Sequence, residues 1–331
     1  MAKRSLALQL DEAVLAMLVA LPARPQETPH RELPALLKIA RELRLLPRAE
    51  FREGLRTDLQ RRTRMSEGAA AQTKDLREVH YMRPGLTAIT PYIIARPAAR
   101  LIEFLKSAFD GIEQLRMPAP DGSIMHAAVA IGNGAIELSD GNEAYPSAPA
   151  AVHLYVEDAD VTYERAMLAG ATSIAPVANQ HWGDRWGAVK DPFGNHWYIA
   201  KPGWTPGPEG VRSVQPFLHL REAHKLIPFL EAAFGAESLG VAKSPEGTVL
   251  HGTIRIGNAT LEIDEAYGEM QPMPCHLHVY VPDTDAAYAR ALEAGATSIE
   301  APQDKPYGDR SAGVKDAWGN SWFIATHLGT K

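Results

Sequence analysis

The stretch Gly183–Ala200, GDRWGAVKDPFGNHWYIA, returns 125 residues later as Gly308–Ala325, GDRSAGVKDAWGNSWFIA, with no gap. A self-match of this length at fixed spacing constrains architecture more than any single motif, because duplicated sequence implies a duplicated fold. Each copy reads as strand, tight turn, strand. Val189 and Val314 fall in the first strand. Asp-Pro-Phe-Gly-Asn and Asp-Ala-Trp-Gly-Asn make the turn, and Trp-Tyr-Ile-Ala and Trp-Phe-Ile-Ala form the second strand. Gly194 and Gly319 are expected at positive φ, a region that the following Asn195 and Asn320 also tolerate. The aromatic and β-branched residues after each turn suit a half-buried sheet.

The repeat extends well beyond this stretch. His126 recurs as His251, Ile131-Gly132-Asn133 as Ile256-Gly257-Asn258, and Glu137 as Glu262. His153, Tyr155 and Asp158 recur as His278, Tyr280 and Asp283, and AGATSI stands at both 169–174 and 294–299. Within one copy the pattern predicts a strand over Ile89–Ala95, a helix over Ala98–Phe109, and strands near Glu113–Met117, Ile124–Ile131 and Ala135–Ser139. The order then restarts with a strand over Val152–Val156 and a helix over Asp160–Ala169. This gives a βαβββ unit twice per copy and four times in the chain. The fold class is α+β: helices cover one side of curved, mostly antiparallel sheets and leave the other side to close around a cavity. The expected boundaries are a helical appendage over 1–62, a linker over 63–84, and two repeated domains over 85–203 and 204–331.

Charge and cysteine usage narrow the classes further. A net charge of −6 over 331 residues makes nucleic acid an unexpected partner. Residues 1–64 run the other way, with 13 Lys and Arg against 8 Asp and Glu. Leu8, Val14, Leu15, Leu18 and Val19 set an apolar helical stripe there. The segment is expected to be a packing extension with a solvated arginine face, or a surface for self-association or a protein partner. A single cysteine, Cys275, rules out an internal disulfide framework and fits a reducing, cytoplasmic location. It is expected to be an inert half-buried thiol. No stretch reaches membrane-spanning length, and Walker, Gly-x-Ser-x-Gly and zinc-finger spacings are all missing.

The order of elements resembles the vicinal oxygen chelate superfamily, which includes glyoxalase I, bleomycin-resistance proteins and extradiol dioxygenases. The resemblance rests on His126, Gly132, Gly183-Asp184-Arg185 and Asp191…Gly194-Asn195…Trp197, and on their counterparts in the second copy. It is nearest to the PhnB-like, glyoxalase-related subgroup and covers the chain from about Gly85 onward. It implies tandem glyoxalase-like domains, with strands of one copy completing the cavity of the other. It also implies two functional readings. One is metal-independent capture of a small organic ligand. The alternative is a divalent-metal-dependent lyase, isomerase or dioxygenase.

Members that use a metal hold it with His and Glu side chains on the first and last strands of each βαβββ unit. Carried onto this chain, the positions fall on Thr90, Glu137, Ala151 and Tyr198 in the first copy. In the second they fall on Gln215, Glu262, His276 and Phe323. The resemblance therefore implies either no cofactor or a divalent ion held by Glu262, His276 and Gln215. A slip of two residues along the strand, which keeps the same face, brings His153 or His278 nearer the cavity. Glu137 and Glu262 are open to a second role, as ion-pair partners of Arg185 and Arg310. The expected ligand-binding residues are His153, Arg185, Trp182, His278, Arg310 and Tyr307. The arginines offer a planar fork for an anion or, with Asp184 and Asp309, pin their loops through local hydrogen bonds, and the aromatic residues offer a wall for a flat ligand. Trp197 and Trp322 are expected in the core.

Overall fold

The computed structural model describes residues 81–143, 145–203, 210–268 and 271–329; the expected helical appendage and nearly all of the linker lie outside these described residues. Four βαβββ units follow one another. The first is β1 (Ile89–Ala95), α1 (Ala98–Phe109), β2 (Ile112–Pro118), β3 (Ile124–Ile131) and β4 (Gly134–Asp140). The second is β5 (Ala151–Tyr155), α2 (Ala159–Leu168), β6 (Thr172–Asn179), β7 (Arg185–Lys190) and β8 (His196–Lys201). The third is β9 (Val214–Leu220), α3 (Leu226–Phe234), β10 (Glu237–Lys243), β11 (Val249–Ile256) and β12 (Ala259–Glu265). The fourth is β13 (His276–Tyr280), α4 (Thr284–Glu293), β14 (Thr297–Asp304), β15 (Asp309–Lys315) and β16 (Ser321–His327).

The units join across the repeat. One eight-stranded sheet has the order β14-β15-β16-β13-β1-β4-β3-β2, so it combines the first and fourth units. The other, β10-β11-β12-β9-β5-β8-β7-β6, combines the second and third. The seams are antiparallel, β1 on β13 and β5 on β9, whereas β1 on β4 and β13 on β16 run parallel. We call the concave face of the first sheet cup A and that of the second cup B. Each cup is thus built from half of each copy.

The helical cores stay within a copy. Phe104 and Phe109 of α1 meet Trp197 of β8 at ring-centroid distances of 6.4 and 4.9 Å. Phe229 and Phe234 meet Trp322 in the same way, at 6.1 and 5.1 Å. Both tryptophans are fully buried, as expected. A reciprocal clasp joins the copies: Asn133 Oδ1 accepts from the Ser213 backbone N–H at 2.7 Å, and Asn258 Oδ1 accepts from that of Ala88 at 2.9 Å. The glycine before each asparagine has φ of 57°, and a Cβ on Gly257 would come within 2.7 Å of the Ala88 side chain. The repeated Ile-Gly-Asn is therefore a hairpin turn that also locks one copy to the other.

The opening motif is explained by its aspartate. Asp191 accepts from the backbone N–H groups of Phe193 and Asn195, from the Asn195 amide, and from Trp197 Nε1 at 2.9 Å. Asp316 repeats every one of these bonds with Trp318, Asn320 and Trp322. Gly194 and Gly319 both take φ of 91°, as the turn requires. Neither asparagine does; their place is fixed instead by side-chain bonds, including Asn195 Oδ1 to the Ala150 N–H. Among the described residues no helix is long and apolar enough to cross a membrane.

Candidate functional site

Strand alternation decides which side chains reach a cup. In β9, Val214, Leu218 and Leu220 join the main core, so Gln215, Phe217 and His219 face cup B. In β12, Leu261 and Ile263 are core and Thr260, Glu262 and Asp264 face the cup. Phe217 gathers with Ala151, Ala188 and Tyr198 in a second apolar cluster, flanked by Trp186 and Met273.

Each cup keeps one buried glutamate held by histidines. In cup A, His278 Nδ1 lies 2.6 Å from Glu137 Oε2, and His126 Nε2 lies 3.3 Å from Glu137 Oε1. In cup B, His153 Nδ1 lies 2.6 Å from Glu262 Oε2, and the Tyr155 hydroxyl donates to Glu262 Oε1 at 3.0 Å. Burial alone would raise both carboxyls. The neighbouring His278 and His126 outweigh it and hold Glu137 at about 2. His153, with His251 and Tyr155 adding, likewise holds Glu262 below the usual carboxylate range.

The sequence-based ion pairs are not formed. Arg185 follows Asp184 and precedes Trp186, which faces cup B; alternation therefore turns Arg185 to the helix side. There it grips Asp160 in the first turn of α2 and reaches Asn179 at 3.1 Å. Arg310 does the same with Asp285 of α4 and with Asp304. Neither arginine stands beside the glutamates or over a cup, so the expected anion-orienting role is not placed there. Trp182 and Tyr307 are both exposed. Trp182 stacks edge-on against Trp186 at 6.4 Å, whereas Tyr307 lies under the Arg83 guanidinium at 5.1 Å.

The expected metal set is divided. Gln215 and Glu262 belong to cup B and His276 to cup A, because the sheets pair unlike units. Regrouped by cup, the positions that the resemblance assigns to a metal read Thr90, Glu137, His276 and Phe323 in cup A. In cup B they read Ala151, Tyr198, Gln215 and Glu262. Gln215 is already spent, donating to the Arg212 carbonyl at 2.9 Å and accepting from Thr260 at 2.6 Å. Thr90 donates to the Thr87 carbonyl. Tyr92 separates Glu137 from His276 in the strand register. Among the described residues no group of three His, Cys, Asp or Glu side chains is arranged to hold a metal ion. These donors do not fit the divalent ion that the resemblance implies, since a catalytic site ordinarily takes three protein ligands.

His219 Nδ1 bonds Asp264 Oδ1 at 2.5 Å, and both side chains are buried in cup B. His219 and Asp264 carried no repeat signal, since the first copy has Ile94 and Ser139 in their places. That break in the repeat was the available clue. Cys275 is fully buried rather than half-buried, and burial pushes its thiol up to about 11.

Residues 85–199 match the family described as the Glyoxalase/Bleomycin resistance protein/Dioxygenase superfamily, and residues 217–325 match the Glyoxalase-like domain. An uncharacterised protein of Mycobacterium bovis is 39% identical over 126 residues, covering 35% of this chain and 83% of that protein. Glyoxalase I from Zea mays is similar in structure, with a TM-score of 0.55 at 15% identity over 72% of this chain and 92% of its own. A putative dioxygenase from Bacillus subtilis gives a TM-score of 0.50 at 13% identity, over 73% and 84% of the two chains. Likeness at such identity concerns fold alone, and fold does not fix chemistry. With both copies matched and the cups assembled as they are, the chain belongs to the glyoxalase/bleomycin resistance/dioxygenase superfamily and carries its domain twice in tandem.

Proposed function

We propose that the protein binds a small, flat organic ligand in its cups and does so without a metal ion. The observation that carries this reading is the donor set. In cup A two of the four metal-assigned positions are threonine and phenylalanine. In cup B they are alanine, tyrosine, and a glutamine already committed to Arg212 and Thr260. The surviving glutamates are engaged by histidines at 2.6 Å. The cup B face also offers aromatic surface: Trp182, Trp186, Tyr198 and Phe217 follow one another inward at centroid spacings of 6.4, 6.0 and 5.2 Å. Such a series favours planar rings.

The test is a thermal-shift screen of planar aromatic compounds against protein stripped with a chelator. A ligand that binds only the folded state raises Tm. The expected result is a rise that is the same in chelator and in added zinc, manganese or nickel. A rise that appears only after metal is added contradicts the reading.

A further inference from the structure

The two cups are not equally open. In cup A, Tyr92, His276, His278 and Phe323 are all half-buried. The residues in the same places of cup B are Phe217, Ala151, His153 and Tyr198, and all four are buried. What fills cup B is its own apolar cluster. Trp186 and Met273 pack against Ala151, Ala188, Tyr198 and Phe217, and the Trp186 ring stacks on that of Tyr198 at 6.0 Å and 15°. Cup A has Ser311 in the place of Trp186 and Ala148 in the place of Met273. The backbone runs alike at both places. Trp186 pairs with Ala200 and Ser311 with Ala325, while the N–H groups of Met273 and Ala148 bond the carbonyls of His219 and Ile94. The difference is therefore one of side chains: an indole and a thioether chain in one cup, a hydroxymethyl and a methyl in the other. A closely packed cluster has no room for a guest. Inward of the exposed Trp182, the aromatic series of cup B closes on itself.

We propose that cup A is the one that takes a planar aromatic guest and that Trp186 and Met273 plug cup B, a proposal that rests on the ligand-capture reading and says which cup serves it. The walls of cup A are aromatic. Phe323 meets Tyr92 edge-on at 5.5 Å and Tyr145 edge-on at 6.2 Å. Rings set edge-on leave faces and edges for a further ring to pack against. Beside them stand His126 and His278, with side chains 20% and 13% exposed, each against one oxygen of the buried Glu137. Both oxygens of that glutamate are thus met from within the protein, so the guest need not be a cation. Ser311 and Ala148 leave unfilled the places that the plug occupies in cup B.

The probe is 2-naphthol, titrated into the full chain by calorimetry in the presence of chelator. One equivalent per chain is expected. Ser311→Trp, which installs the cup B residue, should weaken binding by about tenfold or more, since a ring added to a fitted space must displace something. Trp186→Ser combined with Met273→Ala should raise the stoichiometry to two. A measurement on the unaltered protein keeps the test independent of how these variants fold. Diethyl pyrocarbonate followed by peptide mass spectrometry should label His126 and His278 faster than His153, and 2-naphthol should protect His278. Two equivalents on the unaltered protein, protection at His153 in place of His278, or full affinity in a folded Ser311→Trp overturns the choice of cup and leaves ligand capture standing. A stoichiometry of one in the folded double variant overturns the plug. No binding of 2-naphthol in chelator overturns the proposal as a whole, and ligand capture is then judged by the broader chelator screen.

Discussion

At the residue scale the telling groups are buried and titratable. Burial, with Lys315 adding, pushes His276 down to about 4 from an ordinary 6.5. The unfolded chain therefore takes up this proton first as pH falls. Stability tied to His276 is full above about 6.5 and is lost between there and about 4, by at most about 3 kcal/mol. Urea denaturation at stepped pH should show this slope, and His276→Asn should flatten it; an unchanged slope in the variant contradicts the assignment. Glu137, held at about 2, acts lower down: its contribution is present above the ordinary 4.5 and fades as pH drops toward 2. The sequence marks Glu137 and Glu262 as polar residues in apolar strands. It does not mark their partners, because His278 and His153 reach them from the other copy. The expected pairing of Arg185 and Arg310 with the glutamates is not formed for a simpler reason. Adjacent strand residues face opposite ways, and a motif read as a block hides which of its members faces inward.

At the scale of elements, the turn built on Asp191 and its twin on Asp316 holds the strand pair together and pins a core tryptophan. Burial raises both carboxyls, with the asparagine and tryptophan hydrogen bonds pulling the other way. Asp191→Ala would strand the Trp197 indole N–H, the Asn195 amide and two backbone N–H groups. At about 1–3 kcal/mol for each unsatisfied buried group, the loss should be about 3 kcal/mol or more. Chemical denaturation measures it, and a loss below about 1 kcal/mol would show that the network is dispensable. This element was legible in advance: strand, turn, strand, the positive-φ glycines and the buried tryptophans all follow from composition and spacing. The helix predicted over Ala98–Phe109 is the one observed. What spacing could not show was why asparagine follows each glycine. Its role is to bond to Asp191 and to the neighbouring strand, which depends on tertiary neighbours.

At the scale of the molecule, duplication was plain from the repeat, but the sharing of sheets was not, since a period says which segments are alike and nothing about which ones pair. The resemblance supplied the idea of shared cups. The register places each retained glutamate beside a histidine from the other copy and divides the expected metal set between the two cups. The asymmetry of cup B was hidden for the opposite reason: His219 and Asp264 are where the repeat breaks, and a search for likeness passes over them. The proposed function needs cups that hold an organic guest through side chains alone. Its most direct test is the metal content of the full chain, purified from cells grown with added zinc, nickel, manganese and iron and measured by elemental analysis. The account predicts less than about a tenth of an equivalent of any of these metals per chain. One full equivalent, retained through purification and bound by side chains of either cup, would contradict it.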